Sequence, residues 1–305
     1  MATLELTKDD WVKDINSSLY ACKNMNELLA SLSLIIELRR FEGVFPYCVN
    51  AARSRAAELG GLGGVTTVVD GEGVLFKAGF ANGQLSGTAE RALGILRKIW
   101  KAALPVHFIV AFDDERRIRR ERFPEYKSDR KPNARKEEIE AIKPDVIKAV
   151  TDNGIQVAII EGYEADDVAA SVSSQCQILD QECVVAASDK DCWQCLGPKT
   201  TIYSHSEDTF HGAQWLKANH KITPSQVTDW IALVGKNGIK GADGIGPKIA
   251  SDLLEAYGSF HDILGSNSLT PAKRSAIESI DYFRLKEIHS LNRTLPITRD
   301  KYKDA

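Results

Sequence analysis

The chain has 305 residues, of which 43% are hydrophobic, and a formal net charge of −3. This length suits about two domains with an ordinary apolar core. The charge excludes a uniformly basic protein, so nucleic acid could be bound only through a local basic patch.

Residues 1–60 are predicted to form a helical extension, because apolar residues recur at helical spacing between Leu28 and Ile36. Four apolar runs then alternate with amphipathic helices, at 65–69, 106–112, 157–160 and 183–187. This alternation predicts an α/β fold with a mostly parallel sheet. The pattern becomes helical from about residue 209. We therefore place a core domain at 61–206 and a C-terminal helical region at 207–305.

The sequence also predicts the compartment. The longest apolar run, 28–38, contains Glu37 and is too short to cross a bilayer. The first residues match neither a signal peptide nor a transit peptide. The six cysteines include the pair Cys192 and Cys195, but a zinc site needs more ligands, so we interpret this pair as buried thiols. We expect a cytoplasmic protein that does not bind membranes.

Acidic residues follow each of the four predicted strands. The candidates for metal binding are Asp70, Asp113, Glu164, Asp166, Asp167, Asp189 and Asp191. The carboxyl ends of parallel strands share one edge of a sheet, where carboxylates would repel one another unless cations neutralise them. A single acid of this kind would be explained by helix capping. Acids after four successive strands instead indicate a site for Mg²⁺ or Mn²⁺.

The segment 116–136 is strongly basic, with ten Lys or Arg residues against three acids. Such a cluster beside strand-terminal acids favours binding of phosphates. Phe123 and Tyr126 lie among the charges and could stack on bases. The alternative is a solvated helix with internal ion pairs.

A glycine hairpin at 244–248 precedes a predicted helix at 249–256. The backbone N–H groups of such a turn can bind a phosphate without reading the base sequence. The pattern is only moderately specific, because glycine-rich helix starts are common.

Together these stretches resemble the 5′ nuclease family, which includes phage 5′–3′ exonucleases, flap endonucleases and the 5′-nuclease domain of bacterial DNA polymerase I. The matching stretches are VVDGEGVLFKAGFA (68–81), FDDERRIRRERFPEYKSDRKP (112–132), EGYEADDVAA (161–170), ASDKDCWQCL (187–196), ITPSQVTDWIALVG (222–235) and GADGIGPKIASDLLEAYGS (241–259). The resemblance implies a PIN-like core, a helical arch at about 114–136 and a helix-three-turn-helix module that binds the duplex.

The resemblance also implies roles for individual residues. The seven strand-terminal acids match the family's ligands for two divalent ions. The residues that match the arch residues acting on the scissile phosphate and the passing strand are Tyr126, Lys127 and Arg130. Arg119 matches another basic residue of the arch and is expected to take part in catalysis. Arg120 and Lys131 are expected to contact DNA. Gly244, Gly246 and Lys248 match the hairpin that holds the duplex, often with K⁺. The expected substrates are flap, nicked or 5′-overhang DNA.

The chain departs from the family in the loop at 235–241, which lacks two Asp residues of the second metal site. Lys236 occupies the place of the first of them, so we expect this metal site to be weak. Three functions are compatible with the sequence. The first is an active structure-specific 5′ nuclease, the second a DNA-junction binding protein with little or no catalysis, and the third an RNA-directed nuclease of the PIN type.

Overall fold

The computed structural model describes residues 8–37, 45–59, 63–114, 117–129, 131 and 133–299. The chain begins with three helices, α1 (Lys8–Ala21), α2 (Met25–Glu37) and α3 (Phe45–Glu58). The apolar face of α2 is buried against its neighbours and against Ile178 and Leu179. Arg53 in α3 donates a hydrogen bond from Nε to the carbonyl of Ile178 at 2.7 Å. The extension therefore packs on the core at the end of the helix that contains Ile178.

The central sheet has six strands, in the order β3-β2-β1-β4-β5-β6. Their bounds are β1 (Thr66–Asp70), β2 (His107–Ala111), β3 (Gln156–Ala158), β4 (Cys183–Ala186), β5 (Thr200–Ser204) and β6 (Thr209–His211). The first five strands run parallel, and β6 is antiparallel to β5. The expected mostly parallel sheet is confirmed. It continues to His211, five residues beyond the predicted domain boundary at 206.

Helices cover both faces of the sheet, as the alternating pattern predicts. The helices in this part of the chain are α4 (Gly71–Phe80), α5 (Thr88–Ala103), α6 (Arg117–Arg122), α7 (Ala134–Ala141), α8 (Lys143–Asp152) and α9 (Ala165–Ile178). One apolar core lies under α4, α5 and α8, and a second contains α9 and the C-terminal helices. The helix α9 is almost entirely buried, since its small residues Ala and Ser allow close packing on the sheet.

The C-terminal part is helical except for a two-stranded hairpin. It consists of α10 (Ala213–His220), α11 (Val227–Val234), β7 (Gly235–Lys236), β8 (Ile239–Lys240), α12 (Pro247–Tyr257), α13 (Phe260–Gly265), α14 (Pro271–Glu278) and α15 (Tyr282–His289). Short 3-10 helices lie at Ala81–Gly83, Lys190–Cys195 and Pro224–Gln226. Among the described residues, the structure contains no helix with the length and apolar character needed to cross a membrane.

The strand order places a topological switch between β1 and β4. The chain leaves β1 towards β2 on one side, whereas β4 and β5 extend the sheet on the other. Open parallel sheets of this kind bind ligands in the crevice at the carboxyl ends of the strands beside such a switch. The fold thus predicts where the functional residues should converge.

Candidate active site

The acids that follow the strands lie at the same edge of the sheet. Asp70 is the last residue of β1, and its carboxylate accepts a hydrogen bond from Gly73 N as the N-cap of α4. Asp113 follows β2 and accepts from Ala165 N at 2.8 Å. Glu164 is the N-cap of α9, and Asp189 follows β4. Because these strands are parallel neighbours, all four side chains start from the predicted crevice.

Three of the predicted metal ligands form one compact group. Asp166, Asp189 and Asp191 each offer an oxygen within 4.8 Å of the others. Burial and the nearby carboxylates Asp70, Asp189 and Asp191 raise the pKa of Asp166 well above its usual range. Burial, together with the charge of Asp113, likewise raises the pKa of Asp70 to about 7. This crowding of buried carboxylates is the electrostatic condition that a bound cation relieves.

Asp191 supplies a ligand atom that the protein leaves open. Its Oδ1 atom is buried and has no hydrogen-bond partner among the described residues. A buried carboxylate oxygen without a partner costs free energy, on the order of 1–3 kcal/mol for a polar group and more for a charged one. Hard divalent cations bind oxygen ligands of this kind. The donor set at the switch point therefore fits a divalent cation that prefers oxygen ligands.

Lys236 reaches into this acidic group from the β7–β8 hairpin. Its Nζ atom pairs with Asp189 Oδ1 and lies 2.8 Å from Asp191 Oδ2. The ammonium of Lys236 is a main reason that the pKa of Asp189 stays below its usual value despite burial. The residue that the sequence comparison placed near the second metal site is thus in direct contact with two of the predicted ligands.

Glu164 is surrounded by donors from the arch segment. Tyr126 donates its hydroxyl to Glu164 Oε2 at 2.9 Å, and Lys127 donates to Oε1 at 2.6 Å. Arg119 Nε lies 3.5 Å from the same carboxylate. Three of the four predicted catalytic residues therefore converge on one predicted metal ligand. The fourth, Arg130, lies outside the described residues.

Asp167 is held by partners outside the compact group. It completes a capping box with Glu164 at the start of α9, and its Oδ1 pairs with Arg119 at 2.7 Å. The same oxygen accepts a hydrogen bond from Asn292 N at 2.7 Å. These contacts favour a positioning role for Asp167, which fixes Arg119 beside the site.

The expected base stacking by Phe123 and Tyr126 is wrong for this structure. Phe123 is 5% exposed and Tyr126 is 3% exposed, because both rings pack against Ile288 in a small apolar cluster. Rings buried in this way are closed to bases. By contrast, Arg120 and Lys131 are exposed, as residues that bind a DNA backbone must be.

The segment that contains Glu125 and Lys127 is attached to the C-terminal helix α15. Arg284 forms a bidentate pair with Glu125, at 2.6 and 3.1 Å. On the other side, Lys127 N donates to the carbonyl of Asn237 in the β7–β8 turn at 3.1 Å. A side chain at Gly238 would collide with Asp129, so glycine allows the two loops to meet. These contacts join residues that are far apart in the sequence, and they hold Lys127 beside the acids.

The glycine hairpin lies at the start of α12. Gly244 has a φ of +72°, which an L side chain rarely adopts, and Gly246 is the N-cap without a side-chain hydrogen bond. Lys248 is exposed in the first turn. The backbone N–H groups at the start of a helix and a lysine in its first turn can together bind a phosphate.

Sequence reasoning missed two further groups near the site. Glu72, two residues after Asp70, pairs with Lys143 and accepts a hydrogen bond from Asp113 N at 3.1 Å. His289 is buried, and burial lowers its pKa to about 4. The DGE sequence after β1 signals Glu72, but no local pattern could reveal His289, which α15 brings in from the end of the chain. All six cysteines are buried free thiols, which agrees with the interpretation of Cys192 and Cys195 as buried thiols. Cys192 donates to Asp166 Oδ1 at 3.2 Å.

Residues 65–227 match the family described as 5′–3′ exonuclease, N-terminal resolvase-like domain. The chain is similar to the flap endonuclease Xni of Shewanella pealeana, with 32% identity over 194 residues that make up 63% of this chain and 75% of that protein. The corresponding enzyme of Vibrio cholerae is 31% identical over 202 residues, which are 62% of this chain and 74% of that protein.

Solved structures agree at the level of the fold. The 5′-exonuclease of phage T5, with bound zinc, has a TM-score of 0.65 and 21% identity, covering 75% of this chain and 90% of that chain. A T5 flap endonuclease complex with DNA and metal ions has a TM-score of 0.58 and 20% identity, covering 76% and 87%.

Proposed function

We propose that this chain, which belongs to the 5′–3′ exonuclease family, is a structure-specific 5′ nuclease that hydrolyses DNA phosphodiesters near a junction of single and double strands. The observation that carries the proposal is the compact group Asp166, Asp189 and Asp191 at the switch point of the sheet, with Lys127 and Arg119 beside it. The carboxylates can bind a divalent cation, and the positively charged side chains can bind a phosphate. The hydrolysis of a phosphodiester needs both.

In this proposal the compact group, with Asp70, holds Mg²⁺ or Mn²⁺, and Asp113 and Glu164 complete the surroundings. A divalent ion bound there would supply a water of lowered pKa and would neutralise charge on the phosphate. Lys127, which now pairs with Glu164, would turn its ammonium to a non-bridging phosphate oxygen and stabilise the negative charge that develops there. Arg119, fixed by Asp167, would orient the strand.

Lys236 acts in this proposal as a built-in cation. Two unit charges about 4 Å apart attract or repel each other by up to about 4 kcal/mol at an effective dielectric of about 20. The ammonium of Lys236 on Asp189 and Asp191 therefore weakens a divalent ion on the side of the group that these two acids form, and leaves the stronger site to Asp70 and Asp166. The same ammonium can donate a hydrogen bond to the phosphate.

The duplex would be held by the glycine hairpin, through Gly244, Gly246 and Lys248, with K⁺ as a further ion at that turn. Arg120 and Lys131 would contact the strand at the arch. This assigns nuclease chemistry to the core at 61–206 and duplex binding to 207–305, with the extension at 1–60 outside both. The free thiols suit a reducing compartment such as the cytoplasm.

A cleavage assay tests the proposed function directly. Labelled flap, nicked and 5′-overhang DNA, and an RNA flap of the same sequence, are incubated with Mg²⁺ or Mn²⁺. We expect metal-dependent cleavage of the DNA substrates close to the junction. Binding without cleavage in both metals would instead support the DNA-junction binding protein, which the buried and mutually repelling acids disfavour. Cleavage of the RNA flap alone would support the ribonuclease.

Replacing Lys236 with Asp is expected to add a second divalent site. The substitution removes a cation that repels the ion and supplies a carboxylate in its place, so calorimetric titration should show one tight Mn²⁺ equivalent in the native chain and two in the variant. Lys240→Ala is the matched control, because Lys240 lies in the same hairpin but pairs with Asp243. Two tight, equivalent sites in the native protein would contradict the role given to Lys236.

A further inference from the structure

Lys190 is next to the acidic group in the sequence and contacts Trp230, which packs on the helix that follows the glycine hairpin. It stands between Asp189 and Asp191 in sequence, yet its ammonium is held over aromatic rings, 5.4 Å from the ring centroid of Trp193 and 5.4 Å from that of Trp230. Within the described part of the chain, no carboxylate lies within ion-pair distance of Lys190. Its side chain is therefore an ordered and exposed positive charge at the edge of the site.

Trp230 connects this charge to the start of α12. Its Nε1 donates to the carbonyl of Pro247 at 3.1 Å and to Ser251 Oγ at 3.0 Å, so the indole is attached to the first turn of the helix. That turn contains Lys248 and no acid. Cations are unfavourable at the positive end of a helix, unless an anion binds there.

Unlike Lys190, other lysines around the acids already pair with carboxylates. Lys127 pairs with Glu164, and Lys236 pairs with two Asp residues. Lys143 pairs with Glu72. A cation that already has a carboxylate must exchange it before it can bind a phosphate, whereas Lys190 gives up only water and a part of its contact with the rings. Its four-carbon stem is also already ordered, which lowers the entropy lost on binding.

We propose that Lys190 binds a DNA backbone phosphate between the one at the acidic group and the one at the glycine hairpin. This contact fixes the position of the duplex relative to the site of cleavage. The proposal rests on the function proposed above, because it needs a duplex that spans both places. Lys190 is thus a positioning residue, and the phosphate that it contacts is not the one that reacts.

The test is the salt dependence of nicked-duplex binding, measured without divalent cations so that no cleavage occurs. Lys190→Met keeps the apolar stem on the tryptophan rings and removes only the charge. We expect it to weaken binding several-fold and to reduce the slope of log K against log salt by about 0.9, the contribution of one phosphate contact. Lys190→Arg should restore the slope. Lys101→Ala, which changes an exposed lysine in the last turn of α5, the helix that leads into the amino end of β2, should leave the slope unchanged.

The outcomes separate the two proposals. An unchanged slope in Lys190→Met, with steep salt dependence in the native protein, would overturn the role of Lys190 and leave the proposed function intact. A native protein that does not bind the duplex at all would overturn both. A reduced slope that Arg does not restore would also count against a phosphate contact, since Arg carries the same charge.

Discussion

Asp166→Asn should make the metal-free protein more stable while it abolishes most of the cleavage. The substitution removes a buried carboxyl group whose charged form is disfavoured by burial and by three nearby carboxylates. Functional sites commonly lower the stability of the fold in this way, and a substitution that relieves the repulsion should raise the free energy of unfolding by about 0.5–2 kcal/mol. Cleavage should fall by on the order of 10³, because a lost ligand removes several kcal/mol of charge stabilisation. Chemical denaturation in a chelator and single-turnover cleavage measure the two effects.

The sign of the pH dependence follows from the raised pKa values. A carboxyl group whose folded pKa is raised contributes stability that is fully present below its unfolded pKa, about 3.9, and that is lost as the pH rises through the folded value. For Asp70 this window runs from about pH 4 to about pH 7. As the pH rises through this window, the free energy of unfolding of the metal-free native protein should decrease. The decrease should be smaller in the Asp166→Asn variant. Glu140→Gln, an exposed acid, is the control. Lower stability of the Asn variant at pH 7 would contradict the expectation.

Lys127→Ala should slow cleavage far more than it weakens DNA binding. The ammonium lies 2.6 Å from Glu164, and the backbone of Lys127 is held at a φ of +57° by the hydrogen bond from its N–H to Asn237. In the proposed mechanism this ammonium stabilises charge that develops mainly in the transition state, so we expect a loss of about 10²–10³ in single-turnover rate. The dissociation constant should change by less than about tenfold, as for one phosphate contact.

Lys131→Ala provides the comparison for this experiment. Lys131 belongs to the same basic segment but is exposed, so its removal should weaken binding with little additional loss of rate. Equal losses of rate and of binding in Lys127→Ala would make Lys127 an ordinary phosphate contact. The proposed catalytic role would then be wrong.

The sheet and its acids could be predicted from sequence because both depend on local patterns. Buried parallel strands are continuous apolar runs, and an acid directly after such a run lies at the carboxyl edge whatever follows. The strands β5 and β6 were missed because TTIYS and TFH are short and contain polar residues. Their pairing with β4 and with each other, and not their own hydrophobicity, makes them strands.

The contacts of the site were harder to predict because they join distant segments. Sequence comparison placed Lys236 near a metal site, but only the fold brings its ammonium onto Asp189 and Asp191. Phe123 was interpreted as a residue open to bases because its neighbours are charged. The helix α15 covers it, and nothing near Phe123 in sequence signals that contact. Pairing partners across more than 100 residues are set by the topology, which periodicity alone does not give.

The contact between the N-terminal helices and the last described residues has a consequence for folding. Arg299 N donates to Asn26 Oδ1 across 273 residues, and Gln175 bonds the carbonyls of both Leu29 and Ile297. During synthesis α2 is therefore made long before its partners exist, and its apolar face stays exposed to water or to a chaperone. Contacts of such high sequence separation form slowly. Refolding of the native chain should accordingly end with the docking of this extension.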